Sequence, residues 1–179
     1  MSNGNILIRY WTAYGGFSAI LKSYYLWLSI ILTIFLYPQW TKEGWWGDVL
    51  SIMPNVLGFS LGGFAMWVAI GDEKFKSLIS GANDDGSPSP FMEVNATFVH
   101  FILLQLSSIV LSLIAKTYSF KVPVTHWIYC IFGEQIENVT RCYYFFSYFI
   151  FMYALMTAFA AVLALFRVSS WYDEMNNMK

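Results

Sequence analysis

Few side chains in this chain have types and spacing that could do chemistry. His100 and His126 stand apart from each other and from any acid pair. Neither falls in an H-E-x-x-H grouping, and Cys130 and Cys142 do not form a C-x-x-C pair, so no metal site is expected. No Ser-His-Asp or Cys-His set can be assembled, and neither an enzyme activity nor a cofactor is expected. What remains is a set of uncharged polar groups inside apolar sequence. Asn55, His100, Gln105, Ser108 and Ser112 form a candidate polar path. Interhelical hydrogen bonds between such groups contribute about 0.6 kcal/mol on average, so structural glue is the competing reading.

A second pattern is steric. Ser51, Asn55, Gly58, Gly62, Ala65 and Ala69 recur at four- and three-residue steps, which places them on one helical stripe. Ala154, Thr157, Ala161 and Ala164, with Ser147 ahead of them, repeat the pattern later in the chain. Small residues let helix backbones approach closely in a membrane. Three uses are open: packing within one subunit, self-association, or a pore-lining face. We expect the two stripes to pack on each other.

The elements that carry these residues are apolar runs over about Ile20–Tyr37, Val49–Gly71, Ala96–Ala115 and Tyr143–Phe166. Each approaches the roughly 20 residues that a bilayer-crossing helix needs. The 179-residue chain is 58% hydrophobic and 12% charged, against about 25% charged in soluble domains. Trp and Tyr gather near the ends of the runs, as interfacial rings do. The expected fold is all-α: a single transmembrane domain, an integral membrane four-helix bundle in contact with the lipid bilayer. A net charge of −1 gives no indication of nucleic-acid binding. No cleavable signal peptide is evident, so the first run should stay as a helix.

Between the runs, residues 38–48 make a short hairpin loop. Residues 72–79 extend the second helix, with Asp72, Glu73, Lys74, Phe75 and Lys76 as a candidate docking site for a soluble cytosolic partner. A mobile polar loop follows at about 80–94, rich in Gly, Asn, Asp, Ser and Pro. A longer loop is expected at 116–142, with an apolar island at 127–132. Cys130 and Cys142 both fall in that loop, either bridged to each other or as two unpaired thiols. Pro54 either starts or kinks the second helix. Six of the ten Lys and Arg fall on the side of the two termini, which weakly favours both ends inside.

Absences narrow the class further. No acid or base lies at mid-membrane depth, unlike ion-coupled transporters and small four-helix drug exporters. The cysteines are too few for a four-helix thiol oxidoreductase. The first loop lacks the pair that claudin-like proteins carry.

The stretch PNVLGFSLGGFAMWVAIGDEKF, Pro54 to Phe75, resembles a segment of small four-helix bacterial inner-membrane proteins, some associated with phage defence. The resemblance implies a bacterial inner-membrane location and carries over no catalytic or ligand residue. The expected function is a membrane effector or channel-like subunit that homo-oligomerises through its Gly/Ala faces. The alternative is a non-conducting anchor or sensor that recruits a soluble cytosolic partner, in phage defence by the same resemblance.

Overall fold

The computed structural model describes residues 5–69, 73–81, 87–118, 125 and 127–177. Among these residues every regular element is a helix: α1 (Ile6–Tyr14), α2 (Gly16–Lys22), α3 (Tyr24–Phe35), α4 (Tyr37–Trp40), α5 (Trp46–Ala69), α6 (Glu73–Ile79), α7 (Pro90–Thr117) and α8 (Trp127–Asn177). Three helices are long and apolar enough to cross a membrane, and the count becomes four if the bent α1–α3 segment is one span. That marks an integral membrane protein.

The first expected span, about Ile20–Tyr37, is interrupted at Ser23, and the residues ahead of it are helical as well. Asn5 caps α1 by accepting the Leu7 N–H at 3.0 Å, and α1 ends at Gly15. Gly15 and Gly16 have φ of 92° and 63°, a left-handed backbone that side chains resist. A second break at Ser23 leaves α3 bent by 46° from the segment before it. The apolar run is continuous in sequence, but the backbone through it is not.

The second span is close to the expected one. Pro54 lies well inside α5 and does not start it. Rings mark both ends of this helix: Trp46 and Trp67 stand about 31 Å apart along the axis. That matches a hydrocarbon core of about 30 Å.

The other two spans run longer than expected. The Ser89 hydroxyl accepts the Met92 N–H at 3.3 Å and Pro90 takes the first turn, so α7 begins six residues before Ala96. Residues 127–142, expected as loop, are the first turns of α8. This helix has 51 residues and would measure about 76 Å if straight, far more than a bilayer requires.

Packing centres on α7 and α8, which run antiparallel and share the largest interface. Their register is set by the Tyr143 hydroxyl, which donates to the Leu111 carbonyl at 2.7 Å, and by the Tyr153 ring, 6.0 Å from His100. On the outside, α5 lies mainly on α7, and α3 on α8. One buried cluster joins Trp40, Trp45, Trp46, Val49 and Met53 to Tyr148, Phe151 and Met152. A second, at the far end, joins Trp67, Ile79, Val94, Phe98 and Phe101 to Ala161 and Val168.

Candidate functional site

The small-residue stripe of α5 points away from the protomer. Ser51, Asn55, Gly58, Gly62, Ala65 and Ala69 are all exposed. The packed face carries Val49, Met53, Ser60, Gly63 and Trp67, all buried. At 100° per residue the two faces are opposite each other. A Cβ added at Gly58 or Gly62 would meet nothing within 4 Å.

The α8 stripe does the reverse: Ser147, Ala154, Thr157, Ala161 and Ala164 are buried. Its main partners are α7 and α3, and α5 touches it only sparsely. The two stripes therefore do not pack on each other. The physical reason is that lipid is as apolar as Leu, so no hydrophobic drive selects which face of a span turns inward. Here Met53 and Trp67 fill the α5–α7 interface instead. Between α5 and α8 the sparse contact leaves an apolar cavity of about 50 Å³ lined by Val56, Phe59, Ser60, Gly63, Phe98 and Leu165 among others.

The candidate polar path divides in the same way. Asn55 sits outside, its amide donating to the Ser51 carbonyl at 2.9 Å. His100, Gln105, Ser108 and Ser112 are buried along α7. A shared axis between subunits lined by both Asn55 and Gln105 or Ser108 is thus not available in this fold. Gln105 reaches across to α5, its Nε2 donating to Ser60 Oγ at 3.0 Å. Ser60 in turn donates to the Val56 carbonyl at 2.7 Å.

His100 lies among tyrosines. Its Nδ1 is 2.7 Å from the Tyr10 hydroxyl, and the Tyr14 ring stacks on it at 4.0 Å with a 21° interplanar angle. This contact fastens α1 to α7. The sequence contained a signal for it, since Tyr10 and Tyr14 are four apart and share a face. Sequence reasoning also missed Ser29 and Thr33, buried where α3 meets α8, and Asn95, which accepts the Trp67 indole N–H at 2.9 Å. Ser29 and Thr33 carry small-residue spacing like the other stripes, hidden in a short apolar run.

No family model, curated protein or solved structure matches this chain. The site must therefore be read from its own geometry.

The candidate docking site is only partly in view. Asp72 lies outside the described residues, as do 82–86 of the polar loop, and only the backbone of Lys74 and Phe75 is described. Glu73 is exposed, while Ile79 at the end of α6 is buried in the second cluster. His126 also lies outside the described residues.

The disulfide expectation is corrected. Cys130 and Cys142 sit on one helix, about 18 Å apart along its axis. A bridge needs Cα atoms within about 7 Å. Cys142 is a free, exposed thiol.

Proposed function

We propose that the protein is a membrane effector or channel-like subunit that assembles with further copies of itself through the outward face of α5. The observation that carries this reading is the bare stripe. Six small or compact polar residues, two of them Gly with open space above the backbone, face away from the protomer's own packing. Such a face offers little side-chain surface to lipid and close backbone approach to another helix. Permeation follows from assembly, in the inner membrane of a bacterial cell with both termini cytoplasmic, and phage defence is the setting we assign to it.

The test is membrane potential upon induced expression, native chain against Gly62→Leu. Leu has room in the protomer, so the substitution acts on assembly and leaves the fold alone. Depolarisation by the native chain, lost in the variant while the variant still reaches the membrane, is the expected result. Full depolarisation by Gly62→Leu sinks the proposal.

A second reading is favoured by α6. Ile79 holds this short helix to the core while Glu73 stays exposed. That arrangement suits recruitment of a soluble cytosolic partner by a non-conducting anchor. Native expression without depolarisation, together with partner capture abolished by Glu73→Lys, would favour it.

A further inference from the structure

Buried hydroxyls in this fold come in two kinds. Ser29, Thr33, Ser60 and Thr157 each donate to a carbonyl of their own helix, at 2.6 to 3.0 Å. Ser108 and Ser112 do not, although both are fully buried. Gln105 uses its amide nitrogen on Ser60 and leaves Oε1 with no protein partner. His100 uses Nδ1 on Tyr10 and leaves Nε2 in the same condition.

These four groups lie on α7 over an axial rise of about 18 Å, more than half of a hydrocarbon core of about 30 Å. The α7–α8 register sets Ser147 about level with residues 106–107, beside the turn that carries Ser108, with Tyr143 as its polar neighbour. Tyr153, opposite His100, has Tyr14 as its own. The line is closed at one end by Tyr10 and Tyr14.

In hydrocarbon each unsatisfied polar group costs several kcal/mol. A buried water bound by two to four such groups removes that cost. We infer that bound water threads the interior of each protomer along His100, Gln105, Ser108, Ser112 and Ser147, and that this water is a proton path. The inference rests on the permeability reading above and names its permeant. No carboxylate, Lys or Arg lies along the line to hold a metal cation. A proton entering at one end is matched by a proton leaving at the other, each hop passing it from one water to the next with nothing consumed.

The experiment is purified full-length protein in sealed liposomes under a potassium diffusion potential, with internal pH and dye retention read together. The native chain acidifies or alkalinises the lumen according to the sign of the potential and retains the dye. Gln105→Met and Ser108→Ala each lower the proton flux at least tenfold. Ser169→Ala, at an exposed hydroxyl on the α8 tail, leaves it unchanged.

Absence of proton flux from the native chain overturns the inference, and so does flux that survives both α7 substitutions. Dye or potassium leakage that ignores those substitutions leaves the effector reading standing and removes the water path. Proton flux that persists in Gly62→Leu does the converse: the path stands and the need for assembly falls. Radiolytic hydroxyl labelling marks buried side chains beside bound water and needs no substitution. Labelling at the buried Phe101 ring, between His100 and Gln105 on α7, is expected, and none there counts against the path even if a variant fails to fold.

Discussion

The hydroxyl of Tyr10 and Nδ1 of His100 lie 2.7 Å apart, joining the first described helix to the centre of the bundle. Without this contact, α1 would be held by ring stacking and a few apolar contacts, since Ile6, Leu7 and Ile8 face outward.

Tyr10→Phe keeps the ring and removes the bond. At about 0.6 kcal/mol for a typical intramembrane hydrogen bond, α1 opens about threefold more often. Amide hydrogen exchange across Ile6–Tyr14 reads this, and exchange at α8 stays at its native rate. Unchanged exchange in α1 would mean that Tyr14 stacking alone holds the helix.

Trp67→Phe isolates another single bond. The ring still packs on Phe91, 5.6 Å away, but Asn95 Oδ1 loses its donor. The expected cost is about 1 kcal/mol, read as a lower melting temperature in detergent. Asn95→Leu removes both the bond and the stranded acceptor, so it should cost less than the Trp67 change.

Cys142 should react with a membrane-impermeant maleimide from one side of the membrane only. The side labelled, compared with that of a tag on each terminus, counts the spans. Both termini on the same side would make α1–α3 one bent span, and opposite sides would leave three spans. Reduction should not change the mobility of the monomer, because Cys130 and Cys142 lie about 18 Å apart on α8.

Tyr129 donates to Glu137 at 2.6 Å on the α8 turns ahead of its apolar core. This bond, and then the carboxylate charge, raise the Tyr129 phenol above its usual value of 10.0. The bond is therefore complete below pH 10 and is lost as pH rises past 10 through the elevated value. Ultraviolet titration of the native chain against Tyr129→Phe should isolate, by difference, one phenol that ionises above its usual 10.0. In Glu137→Gln it should return toward 10, and a titration unmoved by that change would refute the pairing.

Sequence made the spans legible because length and apolarity are what a bilayer demands of a helix. It did not reveal the break at Ser23 inside the first run, since serine is tolerated within membrane helices, nor that the chain ahead of Ile20 joins that run as helix up to a turn at Gly15 and Gly16. The early turns of α8 look like loop in sequence because Glu134, Glu137 and Arg141 are polar. Polarity ends a membrane span but not a helix, and Glu137 and Arg141 are spaced for an i,i+4 pair. The stripe on α5 was visible as a stripe, but its direction was not. Gly62 reads the same whether it faces a neighbour in its own fold or a neighbour in another copy.

The length of α5 also bears on how this chain answers to its host membrane. Its 24 residues reach about 36 Å, and a hydrocarbon layer thinner than that reach favours tilt, at a fraction of a kcal/mol per Å. Because α5 is held mainly along the edge that meets α7, that tilt is taken up by α5 and re-aims its free side. Membrane thickness, set by lipid composition, thereby becomes an input to the angle at which Gly58 and Gly62 meet whatever lies beside them.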